Sequence, residues 1–120
     1  MNKCAVFMLD RDKDFLKLYS TLLKNKGCQV FATDNLFLLL KYARTVEPHW
    51  IFIDEQFSPA TPDDIIETIN SKIEHSPHYT VMSGSKDFPY FAQSSPIDYI
   101  YKPRTLEKII DIAENCCIMQ

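Results

Sequence analysis

The 120-residue chain has no clustered basic charge, no long apolar run and no ordered cysteine pattern, and each absence removes a class of function. Its 13 Lys and Arg stand against 16 Asp and Glu for a formal net charge of -3, without the basic face that binding to a phosphate backbone requires. The apolar stretches are too short to span a bilayer. The opening "MNKCAVFML" has too weak a charged start and too short an apolar core for a signal peptide, so a soluble, cytoplasmic protein is expected. Cys4, Cys28, Cys116 and Cys117 have neither CxxC spacing nor the density of a secreted disulfide scaffold, and buried or half-buried thiols are expected. His75 and His78 flank Ser76 and Pro77 without acidic or cysteine partners at ligand spacing, which reads as a pair of solvated loop histidines. Low-complexity segments, internal repeats and linkers are also missing. With 46% hydrophobic residues, 1–120 is expected to form one domain around one core.

What the chain does have is a regular alternation of hydrophobic periods. "CAVFML" (4–9), "QVFAT" (29–33), "HWIFID" (49–54), "YTVMS" (79–83) and "IDYIY" (97–101) are strand candidates, several of them apolar on both faces as buried parallel strands require. Between the first two, Phe15, Leu16, Tyr19, Leu22 and Leu23 recur at helical spacing, with Asp12 or Asp14 as candidate cap and Gly27 as the left-handed residue that closes the helix. Asp34 or Thr33 is the expected cap of a second helix through "NLFLLLKYARTV", ended by Pro48. "PDDIIETINSKIE" reads as a third helix with Pro62 in its first turn, and "RTLEKIIDIAENC" as the last. "SKDFPYFAQSSP", interrupted by Pro89, has room for only a short helix. Strand and helix alternate throughout, which predicts an open α/β parallel sheet with right-handed crossovers and helices on both faces.

In such sheets the chemistry lies beyond the carboxyl ends of the strands. Those ends carry Asp10, Arg11 and Asp12, then Asp54 and Glu55, then Ser83, then Lys102. Clustered carboxylates repel one another and call for a cation or for protons, and a hard oxygen-lined site suits Mg2+. A carboxylate beside such an ion, with a hydroxyl and an ammonium near, can accept a phosphoryl group, because the surrounding donors neutralise its equatorial oxygens. Asp54 is the central candidate.

These residues resemble the signature of response-regulator receiver domains of two-component signalling, over essentially the whole chain. Asp10 and, imperfectly, Arg11 match the acidic pair after the first strand. Asp54 in "WIFIDEQF" matches the phosphoacceptor, Ser83 in "VMSG" the hydroxyl that ends strand four, Lys102 in "DYIYKP" the lysine before a proline, and Tyr99 the aromatic switch. The resemblance implies a flavodoxin-like three-layer fold whose five-stranded parallel sheet has the order 2-1-3-4-5. It further implies transfer of a phosphoryl group from a histidine kinase or histidine phosphotransfer protein onto Asp54, in a two-component system or phosphorelay. Mg2+ would be held by Asp10, Asp54 and the Gln56 carbonyl, with Asp12 compensating in part for the missing second acid. Ser83 and then Tyr99 would turn inward, switching the surface of the fourth helix, fifth strand and fifth helix toward a downstream protein partner or effector domain. The family also implies a cis Lys102–Pro103 bond.

The chain departs from that pattern in three places. Arg11 replaces the second acid and is a candidate competitor for the metal site. The loop "EQFSPATPDD" lacks the usual Met-Pro and Gly, with Phe57 nearest to the methionine, and the segment from Ser83 to Lys102 is short. Two other function classes stay open. One is a pseudo-receiver interaction module that works without phosphorylation, with Arg11 paired to Asp54 in place of metal. The other is a phosphatase resembling the haloacid dehalogenases, with Asp10 as nucleophile, Asp12 as acid, and Ser83 and Lys102 as phosphate contacts. That chemistry needs a further acidic pair after the lysine, and the chain supplies none there.

Overall fold

The computed structural model describes residues 4–57, 60–74, 77–84, 97–101 and 105–118, the last two stretches partly by backbone alone. Among the described residues the elements run in chain order as β1 (Ala5–Leu9), α1 (Lys13–Asn25), β2 (Gln29–Thr33), α2 (Leu36–Ala43), β3 (Trp50–Asp54), α3 (Pro62–Lys72), β4 (His78–Ser83), β5 (Ile97–Tyr101) and α4 (Thr105–Ile118). The strands form one sheet in the order β2-β1-β3-β4-β5, and every pairing is parallel. The expected α/β fold and its strand order are therefore present, with helices packed on both faces of the sheet. The short helix expected within 85–96, His75 and the Lys102–Pro103 bond lie outside the described residues.

Side-chain alternation along the strands divides the core into two layers, because successive residues point to opposite faces. Val6, Met8 and Phe52 pack with Leu16 and Leu23 of α1 and Ile109 of α4. Ala5, Phe7, Leu9, Ile51 and Ile53 pack with Leu39 and Ala43 of α2 and with Ile65, Ile66 and Ile69 of α3. All five β1 residues are buried, as an inner strand covered on both sides must be. Two polar groups of the sheet find partners across it or on α3: the Trp50 indole donates to the Thr80 hydroxyl at 2.7 Å and the Tyr79 hydroxyl to Asn70 at 2.7 Å.

Local chemistry sets the helix ends. Asp12 caps α1 by accepting from the Phe15 N–H, Thr61 caps α3 by accepting from Asp64, and Gly27 takes φ +93° just beyond α1. The cap of α2 is Asn35, which accepts from the Leu38 N–H at 3.1 Å; it is neither Asp34 nor Thr33, whose hydroxyl instead accepts from the Asn35 N–H at 3.1 Å. That helix also ends at Ala43, short of the expected Val46. His78 is the first residue of β4 and stacks on Trp50 at 4.7 Å, so it is a strand residue and not the loop histidine expected from its Ser-Pro neighbours. Cys4 is disulfide-bonded, which corrects its expected thiol state, while Cys28 is buried as expected.

Phe7 is fully buried between the rings of Phe31 (5.9 Å) and Tyr42 (5.4 Å) at the centre of the α2–α3 layer. Phe7→Ala should reduce unfolding free energy by about 3–5 kcal/mol through lost contacts and the cavity left behind. The measurement is a drop in the urea midpoint at constant slope. A loss under about 1 kcal/mol would mean that the layer collapses into the space and that Phe7 is not its anchor.

Candidate functional site

Strand register brings the candidate residues together. Leu9 pairs with Ile53 across β1 and β3, so Asp10 and Asp54 occupy the next positions on neighbouring strands, which lie about 4.8 Å apart. Asp54 pairs in turn with Met82 of β4, and Ser83 is one residue beyond. Three chemically useful side chains therefore stand at one carboxyl edge. Asp10 is 1% exposed and Ser83 0%, while Asp54 is half-buried at the mouth.

The turn after β1 is built from its own carboxylates. The Asp10 backbone N–H donates to the Thr33 carbonyl at 3.2 Å, and Asp10 Oδ1 accepts from the Asp12 N–H at 2.9 Å. Asp12 Oδ1 then accepts from the Phe15 N–H at 3.1 Å and starts α1. An aspartate that accepts from the N–H two residues on closes a tight turn, and here the consequence is that the residue between faces outward. Arg11 is exposed, and its Cζ sits 5.1 Å from the centroid of the buried Phe57 ring. A guanidinium over an aromatic face at an exposed site gains about 0.5–1 kcal/mol.

The turn after β3 is tied to β4. The Glu55 N–H donates to the Met82 carbonyl at 2.8 Å, and the Phe57 N–H returns to the Asp54 carbonyl at 3.1 Å, leaving Gln56 exposed between them. This places the Glu55 side chain against Ser83, whose hydroxyl donates to Glu55 Oε1 at 3.0 Å. Glu55 Oε2 is buried and has no hydrogen-bond partner among the described residues.

Of the residues expected to form a site, Asp10, Asp54 and Ser83 thus share one edge, Arg11 is on its rim, Asp12 is at the α1 cap and Gln56 is in the turn. The Tyr99 backbone pairs with Val81, two residues before Ser83, and its side chain lies outside the described residues, as does Lys102. Among the described residues no three His, Cys, Asp or Glu side chains converge in a metal-holding group. Sequence reasoning missed Glu55 as the acceptor for Ser83 and Phe57 as the seat of Arg11. Only the Asp54–Met82 register makes the first legible, because it sets Glu55 beside Ser83.

No protein-family model matches the chain, and no curated protein matches it in sequence. Solved structures match it closely in shape. A two-component response regulator from Clostridium difficile superposes with a TM-score of 0.80 at 18% identity, covering 95% of each chain. A CheY-like receiver domain from Methanospirillum hungatei gives 0.78 at 19% identity, covering 98% of this chain and 97% of the other. One from Methylobacillus flagellatus gives 0.77 at 19% identity, over 94% of this chain and all of that one. The chain has the fold of response-regulator receiver domains.

The Asp12 cap gives a direct test. Asp12→Ala should destabilise the protein by about 1 kcal/mol, whereas Asp12→Asn, which keeps a capping oxygen, should retain wild-type stability in urea unfolding. Equal losses for both would mean that the charge of Asp12, and not its hydrogen bond, supports the start of α1.

Proposed function

We propose that the chain is a phosphoacceptor receiver domain of a two-component system or phosphorelay, taking a phosphoryl group from a histidine kinase or histidine phosphotransfer protein onto Asp54. The supporting observation is the register that sets Asp10, Asp54 and Ser83 at one carboxyl edge of a sheet with the receiver fold. On this reading the protein is a signalling acceptor with at most autophosphorylation and autodephosphorylation activity. Among the described residues no helix is long and apolar enough to cross a membrane.

The half-buried Asp54 carboxylate attacks phosphorus, forming a P–O bond as the P–N bond to the donor imidazole breaks and the leaving nitrogen takes up a proton. Ser83 donates its hydroxyl proton to a phosphoryl oxygen. Lys102, at the expected end of β5, supplies the ammonium for another. The oxygens of Asp10, Asp54 and the Gln56 carbonyl fit a hard cation, and Asp12 adds charge while its Oδ1 caps α1. Mg2+ bound by these oxygens would neutralise charge on the transferring group. Movement of Ser83 then admits Tyr99 and changes the surface made by β5, α4 and the segment before β5, which a downstream protein or effector domain reads.

One observation favours a second reading. Arg11 stands where the receiver pattern has a second acid, and it is seated on Phe57. A domain whose edge is neutralised by a guanidinium can act through its surface without phosphorylation.

Intact-mass measurement after incubation with Mg2+ and a small phosphodonor separates the two. Wild type should gain one phosphoryl group and Asp54→Ala none; an unlabelled wild type would leave the interaction module standing in place of the receiver.

Arg11 tests the metal site. A permanently charged guanidinium at the rim repels a divalent cation, so Arg11→Asp should tighten Mg2+ binding on the order of tenfold in calorimetric titration and speed labelling at limiting Mg2+. Equal affinities would place Arg11 outside the field of the site.

A further inference from the structure

Beyond the residues that a receiver domain uses, one contact at this edge has no assigned role: the hydrogen bond from Ser83 to Glu55. Its geometry is set by the sheet. The Glu55 N–H continues the β3–β4 ladder onto the Met82 carbonyl at 2.8 Å, which anchors the glutamate backbone beside Ser83. Its Oε1 then accepts the Ser83 hydroxyl at 3.0 Å, and Ser83 is fully buried. The second oxygen, Oε2, is buried without a hydrogen-bond partner among the described residues. A carboxylate oxygen buried without a donor is costly, so this arrangement holds Ser83 while remaining close to release.

We infer that Glu55 is a positioning residue that latches the Ser83 hydroxyl in the unphosphorylated protein and competes with a phosphoryl group on Asp54 for it. The inference rests on the reading of Asp54 as phosphoacceptor. A serine hydroxyl has one proton to donate. While Glu55 Oε1 holds it, no phosphoryl oxygen can. Phosphorylation of the preceding residue exchanges a carboxylate for an acyl phosphate, which adds roughly one negative charge and brings the phosphoryl oxygens within one residue of the Glu55 carboxylate. Like-charge repulsion then drives the glutamate away and the proton passes to the phosphoryl oxygen. Glu55 therefore sets how readily the switch is thrown.

Two substitutions separate reach from charge. Glu55→Asp keeps the charge but is one methylene too short to hold Ser83; Glu55→Gln keeps the reach and an acceptor oxygen but loses the charge. In unphosphorylated protein, the amide resonances of Met82 and Ser83 should move in Glu55→Asp toward the positions that wild type reaches with phosphodonor. They should stay at the unphosphorylated positions in Glu55→Gln. The released fraction should rise on the order of tenfold in Glu55→Asp, the scale of one hydrogen bond to a charged group. Glu55→Asp should also be labelled faster than wild type by the small phosphodonor, and substituting Ser83→Ala should abolish that difference. The reverse pattern, with Gln shifted and Asp unchanged, would show that Glu55 acts only through its field and would overturn the latch. So would resonances unmoved in both variants. If Glu55→Asp moves the Met82 and Ser83 resonances and Glu55→Gln does not, but wild-type Asp54 takes no label, the receiver reading fails and the hand-over fails with it, leaving a static contact.

Discussion

Parallel pairing of β3 between β1 and β4 fixes which side chains can meet at the carboxyl edge, and the site proposed there depends on it. Leu9 opposite Ile53 and Asp54 opposite Met82 leave no freedom in where Asp10, Asp54, Glu55 and Ser83 emerge. A slip of one residue would turn every β3 side chain to the other face. It would exchange Phe52, packed against α1 and α4, with Ile51 and Ile53, packed against α2 and α3. The two hydrophobic layers thus hold the register, and the register holds the site. Packing and chemistry are coupled through the pleat of one inner strand.

The edge is also economical in its use of carboxylates. Asp10 and Asp12 satisfy backbone N–H groups that would otherwise be left open at the turn and at the start of α1. Arg11, forced outward between them, takes the Phe57 ring as its seat. The substitution that removes an acid from the receiver pattern is therefore accommodated by a second departure in the loop after β3, where an aromatic ring stands near the usual methionine position. These two unusual residues touch, so they are better understood as one alteration of the rim than as independent losses.

How much of this was legible in the sequence follows from the kind of signal each feature leaves. The strands were readable because β1 and the inner part of β3 are apolar on both faces, a pattern that only covered parallel strands need. The end of α2 was not. Leu39, Ala43 and Val46 keep helical spacing, but the Thr45 hydroxyl and amide both turn to the Tyr42 carbonyl, at 2.9 and 3.0 Å, and the last turn tightens. Such local competition by a threonine leaves no trace in periodicity. The cap of α2 failed for a similar reason, since Thr33, Asp34 and Asn35 are all capping types in succession and only backbone geometry selects Asn35. At the site, residues at strand ends could be named one by one, but the pairing of Glu55 with Ser83 is a property of register between strands separated by a whole helix.

Burial adds a physical argument about Asp10 that composition cannot. An aspartate closing a turn has no need to leave solvent; Asp12 does comparable work while exposed. Asp10 does the same at 1% exposure, beneath the edge where Asp54 opens. Desolvating a carboxylate to that degree works against folding unless hydrogen bonds and opposite charge compensate. One backbone donor, the Asp12 N–H, provides part of that compensation. Positive charge at this edge, from a cation or a side chain, is the other kind of group that stabilises a carboxylate held there. A buried acid beside a half-buried acid at one carboxyl edge is the feature on which the proposed phosphoacceptor reading leans most.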